Sequence, residues 1–259
     1  MHLLLIYFYA LLSFFGQVID GIRNIETKAT YFTTDHFNRV YFIEGNVLSQ
    51  WSNDGTRLRE FSDNRWGRPT YLEAENALQM VLLYPNYGTL QLLDQNLSPL
   101  RSLDFRPEGF VPLKTVAMTT DNMLWIFDSK AMRLREYDFA KIQQRQSEDL
   151  SVVLGHPVQF TQLLFFKQQL YATDPSSGVY VFDKYGTFQK QFFLKGITRF
   201  EILKDQIFFL KRKQLHSFDL VNFNEMTISL PDSASVKAVR VEQDNLYILR
   251  QGTLEIRQL

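Results

Sequence analysis

The sequence predicts an all-β chain: a six-bladed β-propeller of four-stranded blades, its ring closed by the N-terminal strand in the last blade. Three observations predict it. A pair of β-type runs recurs about every 41 residues, the period of propeller blades. The last of these units stops one strand short. A spare alternating run, Ile22 to Thr27, stands ahead of the first.

In each unit a short β-type run is followed by a polar or glycine-containing gap and a second run. Val40–Ile43 leads to Trp51, Met80–Leu83 to Leu93, Leu124–Asp128 to Tyr137, Leu170–Asp174 to Phe182, Ile207–Leu210 to Phe218 and Leu246–Leu249 to Arg257. An innermost strand is expected before each pair, at Tyr31–Thr33, Thr70–Leu72, Thr115–Ala117, Val158–Phe160, Arg199–Glu201 and Val239–Val241. Outermost strands are expected at Leu58–Phe61, Leu100–Leu103, Ser151–Leu154, Phe188–Phe192 and Met226–Ser229. The sixth unit has none before Leu259, and Ile22–Thr27 can supply it, which covers an edge otherwise open to other chains. The longest insertion, Phe139 to Asp149, is polar and Gln-rich, and reads equally as a short surface helix or a mobile loop.

Composition bounds the function. The chain has 259 residues, 45% of them hydrophobic and 15% aromatic, with 28 Lys+Arg against 28 Asp+Glu. Such a chain can bury a sizeable core. Zero net charge argues against nucleic acid as a partner, because sequence-independent affinity needs a surplus of cations. The absence of cysteine excludes disulfides, thiolate metal sites and a Cys nucleophile.

Leu3 to Phe15 is apolar except for Ser13. At about 1.5 Å per residue this run is too short to cross about 30 Å of hydrocarbon as a helix. It fits the core of a signal peptide over residues 1–16, cleaved before Gln17, leaving one domain over residues 17–259. The expectation is a periplasmic or secreted protein with no stable membrane span after leader removal; a leader that is not a signal would leave it cytoplasmic.

Leu170 to Phe188 has an apolar strand ending in Asp174, a polar turn, a second strand ending Phe182-Asp183, and a turn at Gly186. This segment resembles the NHL-type repeat of six-bladed propellers, and Leu124 to Asp138 matches it more loosely. Tyr171-Ala172-Thr173-Asp174 is similar to the YWTD repeat but occurs once. The resemblance implies the ring architecture. It leaves the function open, since such propellers serve as scaffolds, ligand binders, sensors and some enzymes.

The recurring aspartates Asp94, Asp128, Asp138, Asp174, Asp183 and Asp219 sit at strand ends, where Asp bonds its own backbone two residues on. They read as turn residues. His2, His36, His156 and His216 show no metal-ligand spacing. No catalytic motif is present, so no catalytic residue, metal ligand or cofactor is assigned. Most aromatics are expected to pack blade on blade. Trp66, in the connection between blades one and two, is the candidate surface handle.

The candidate ligand site is the mouth of the central channel, where the innermost strands begin. Thr30, Tyr71, Lys114, Gln159, Arg199 and Lys237 are expected there. Three converging cations without a matching ring of acids favour an anionic or carboxylate-bearing ligand. The expected function is therefore an exported, non-enzymatic module binding a protein or a small anionic ligand. The alternative is a metal-dependent hydrolase of the lactonase type. The resemblance implies for it a divalent cation on the channel axis, held by acidic and Asn side chains; only Glu73 and Glu201 are nearby acids in that reading.

Overall fold

The computed structural model describes residues 22–258. The expected leader, residues 1–16, lies outside the described residues. Twenty-four strands form six four-stranded antiparallel sheets, and these are the six blades. Blade one holds β2 (Tyr31–Thr34), β3 (Val40–Glu44), β4 (Val47–Trp51) and β5 (Arg57–Ser62). Blade two holds β6 (Tyr71–Glu73), β7 (Gln79–Tyr84), β8 (Thr89–Asp94) and β9 (Pro99–Asp104). Blade three runs from β10 (Val116–Met118) through β11 (Leu124–Asp128) and β12 (Arg133–Tyr137) to β13 (Gln143–Gln146). Blade four comprises β14 (Gln162–Phe166), β15 (Gln169–Asp174), β16 (Gly178–Asp183) and β17 (Phe188–Phe192). Blade five comprises β18 (Phe200–Leu203), β19 (Gln206–Lys211), β20 (Gln214–Asp219) and β21 (Glu225–Ile228).

Blade six is built from both ends of the described chain. β22 (Ala238–Glu242), β23 (Asn245–Leu249) and β24 (Thr253–Gln258) are completed by β1 (Arg23–Glu26), which pairs antiparallel with β24 from Arg23↔Ile256 to Glu26↔Thr253. Ile25 is the buried residue of that strand and joins Phe32, Phe42, Tyr247 and Leu254 between blades six and one. The ring closes as the sequence predicts.

Six separate apolar clusters account for the core, one at each contact between neighbouring blades. This is where the aromatics go. Phe105, Phe110 and Tyr137 form edge-to-face contacts between blades two and three, with centroids 5.2 to 6.0 Å apart. Phe127, Phe160, Tyr180 and Phe182 pack between blades three and four in tilted and edge-to-face contacts. Flat rings at these distances suit two twisted sheets meeting face to face.

The aspartates are turn residues. Asp94 Oδ1 accepts from the backbone N–H groups of Asn96 and Ser98, Asp138 Oδ1 from Ala140 and Ile142, and Asp183 Oδ1 from Tyr185 and Thr187. Each carboxylate thereby holds the turn between the third and outermost strands.

Two expected strands are displaced. The innermost strand of blade four is Gln162–Phe166, whereas Val158 and Phe160 are buried in the connection that precedes it. The outermost strand of blade three is Gln143–Gln146, inside the segment read as helix or mobile loop. All of its side chains are exposed, so it lacks the apolar alternation that marks a strand in sequence. Ser151–Leu154, read as that strand, falls on a single helical turn, α1 (Leu150–Val153), with Asp149 accepting from the Ser151 N–H at its start.

Candidate functional site

The innermost strand of each blade is an edge strand facing the channel, and its backbone groups need partners. Polar side chains from the preceding blade supply them. Tyr31 Oη donates to the Leu72 carbonyl at 3.0 Å and accepts from the Leu72 N–H. Thr115 Oγ1 accepts from the Leu163 N–H, and the Gln162 amide both donates to and accepts from the Phe200 backbone. Glu201 accepts from the Val241 N–H at 2.9 Å. The channel wall is stitched blade to blade by residues that also determine what it offers a ligand.

A cavity of about 610 Å³ opens where β2, β6, β18 and β22 begin. Thr30, Tyr71, Arg199 and Lys237 line it, so the structure brings together four of the six residues expected at the mouth. Lys114 and Gln159 lie outside the lining. Blade three contributes nothing to the cavity, so Lys114, though exposed, stands outside it. Gln159 was placed by the displaced strand of blade four. Its N–H donates instead to Asp174 Oδ2 at 2.7 Å, tying the connection to the end of β15. Trp66 is half-buried against the apolar cluster between blades one and two, edge-on to Tyr87, with Arg65 over its ring.

The rim is cationic and aromatic. The Arg199 guanidinium lies 4.5 Å from the ring centroid of Tyr31 and 5.7 Å from that of Tyr71, and the two rings meet edge to face at 6.0 Å. Stacking of this kind holds a cation while leaving its N–H donors free. Arg68, one further cation that sequence reasoning missed, lines the same mouth with Lys237. Among the described residues none of these three cations is in an ion pair.

The floor is acidic, contrary to the expectation of cations without matching acids. Arg240 sits at its centre, 3.4 Å from Glu75, 3.5 Å from Glu201 and 3.2 Å from Glu242, with its Nε donating to Thr34. Its side chain is only 14% exposed. The surrounding carboxylates push its pKa up against the opposing effect of burial. Burial raises Glu201 to about 8 and Glu73 to about 7, the latter helped by the charge of Glu75. Glu73 is 4% exposed and is bonded by Tyr71 Oη at 2.9 Å and the Glu75 N–H at 3.3 Å. Burial likewise raises the phenols of Tyr31 and Tyr71, so both remain hydrogen-bond donors.

These acids do not fit the axial divalent cation of the lactonase reading. A hard cation needs several converging oxygens. Here Glu75, Glu201 and Glu242 converge on the Arg240 guanidinium, and no group of three or more His, Asp or Glu is arranged to hold a metal among the described residues.

The fold has well-matched structural relatives. The chain is similar to a streptogramin B lyase (TM-score 0.65, 8% identity, 92% of this chain and 97% of that one). It is similar to the virginiamycin B lyase of Staphylococcus aureus (TM-score 0.62, 10% identity, 88% and 79%). It also resembles the WD40 domain of Neurospora crassa Pan2 (TM-score 0.60, 12% identity, 89% and 89%). No protein-family model matches the sequence, and no curated protein matches it. Likeness at these identities establishes the propeller ring and nothing about chemistry. Among the described residues no helix is long and apolar enough to cross a membrane.

Proposed function

We propose that this protein is a non-enzymatic propeller that binds a small anionic ligand, or an anionic segment of a partner protein, at the channel mouth. The observation that carries the reading is Arg199, stacked on Tyr31 and Tyr71 at the rim of the cavity with no carboxylate partner among the described residues. A guanidinium so held is pre-organised to meet a carboxylate, and Lys237 and Arg68 add charge of the same sign beside it. The neighbours include both a WD40 domain and lyases, so the ring itself does not choose between binding and chemistry, and the mouth must. The commitment of the floor acids to Arg240 favours binding over metal-assisted hydrolysis.

The same reading takes the protein to be exported, on the strength of the apolar run from Leu3 to Phe15. Intact mass and fractionation in the native host test that part; a chain starting at Gln17 in an extracytoplasmic fraction supports it, and a full-length cytosolic chain defeats it. The binding claim is tested by isothermal titration of hexanoate and glutarate into the wild type and Arg199→Ala. Affinity for either probe that falls at least about tenfold in the variant supports the site. Equal affinity in both proteins, or no heat from either probe, refutes it.

A further inference from the structure

The cavity has two poles of opposite charge separated by one aromatic ring. At the rim, Arg199 lies over Tyr71, and Lys237 lines the same mouth. On the inner side of that ring, Tyr71 Oη bonds the Glu73 carboxylate, which also lines the cavity. The acids of the floor are unequally provided for. Arg240 serves Glu75, Glu201 and Glu242 at once, but Glu73 has no cationic partner among the described residues. A carboxylate 4% exposed without a counter-ion is costly when ionised. It must either keep its proton or be met by a cation brought from outside.

We propose that the mouth takes a bipolar ligand, with a carboxylate on Arg199 and Lys237 and an ammonium group reaching past Tyr71 to Glu73. This rests on the reading of the mouth as the binding site. The ligand class is an ω-amino acid, or the free end of a peptide whose last residue is lysine, since both carry the two charges on one flexible chain. Tyr31 and Tyr71 give the methylene chain a flat apolar wall between the poles. Glu201, on the same wall, is held at Arg240, so Glu73 is the buried acid left for the ammonium. Proton accounting follows from the geometry. An arriving ammonium favours the ionised Glu73, whose carboxyl proton leaves to the buffer while no covalent bond forms or breaks. The groups facing Glu73 are Tyr71, Glu75 and, more remotely, Arg240, so release of its proton is opposed by Glu75 until the ligand arrives.

The test is isothermal titration of 6-aminohexanoate, hexanoate and hexylamine at about pH 6.5, in two buffers of different ionisation enthalpy. The expected result is 6-aminohexanoate binding at least about tenfold more tightly than either single-charge probe, with net proton release. Glu73→Gln should abolish the proton release and erase the advantage of 6-aminohexanoate over hexanoate. Arg199→Ala, at an exposed position, should instead erase its advantage over hexylamine. Hexanoate binding as tightly as 6-aminohexanoate, with no proton release, would overturn the bipolar ligand and leave the anion site intact. Binding by none of the three probes would overturn both. A lysine-ended peptide and its C-terminal amide separate the two sources: binding by the free acid alone identifies a chain end, and binding by 6-aminohexanoate but neither peptide identifies a small amino acid.

Discussion

Glu201 and Arg240 join blades five and six through the channel wall: the Arg240 guanidinium lies 3.5 Å from one Glu201 oxygen while the other accepts from the backbone beside it, at Val241. One carboxylate thus satisfies an edge-strand donor and a nearly buried charge. Removing the cation leaves two nearly buried carboxyls, Glu201 and Glu242, without their partner, while Glu75 is open to solvent. Arg240→Leu is expected to lower stability by about 3–5 kcal/mol, the cost of breaking rather than replacing a buried ion pair. Urea unfolding followed by tyrosine and tryptophan fluorescence reads it, and a loss below about 1 kcal/mol would show the cluster to be dispensable.

The raised carboxyls give stability a defined pH dependence. Glu73 and Glu201 hold their protons in the folded chain to about 7 and about 8, well above ordinary glutamate in an unfolded chain. Between those limits the folded state binds more protons, so stability falls as pH rises. The contribution is complete at acid pH below the usual glutamate range, is lost progressively as pH rises from there, and is gone above about pH 8. The melting temperature should therefore decline across that window, and the decline should flatten in a Glu73→Gln, Glu201→Gln double variant. A melting temperature that rises across it contradicts the assignment.

Closure of the ring by β1 is testable at one side chain. Ile25 is 3% exposed between blades six and one. Ile25→Ala should cost about 2–5 kcal/mol, as for other large-to-small changes in a packed core. Equilibrium unfolding measures it. An unchanged midpoint would mean that β1 does not dock.

Gly178 starts β16 at a φ of +125°, with the Phe192 carbonyl where a side chain would begin. The obstruction is backbone and cannot rotate away. Gly178→Ala should destabilise by more than about 1 kcal/mol, and a neutral outcome in the same unfolding assay would refute the close approach of β16 and β17.

The blade count, the closure and the turn role of the aspartates were legible because each rests on a local pattern repeated along the chain. The third blade shows where legibility ends. Its turn is the same as that after Asp94 and Asp183, but Lys141 takes the left-handed position that Gly186 takes in blade four. Leu97 holds that position in blade two, also without a glycine, so what hides this strand is that the exposed Gln143–Gln146 carries no apolar period to announce itself. Asp138 was the available signal. At the mouth, Thr30, Tyr71, Arg199 and Lys237 follow from strand starts, whereas Gln159 failed with the start of β14. Of the acidic floor, Glu73 and Glu201 were legible as acids near the strand starts, but their convergence with Glu75 and Glu242 around Arg240 was not. Its assembly depends on which side chains of blades two, five and six meet, and Arg240 reads in sequence as one residue of an ordinary strand.

The most direct test of the binding account is a crystal structure of the chain grown with saturating 6-aminohexanoate. The account predicts density for its carboxylate between Arg199 and Lys237, over the Tyr31 and Tyr71 rings. An empty mouth at saturation, or density confined to the outer faces of the blades, would contradict it.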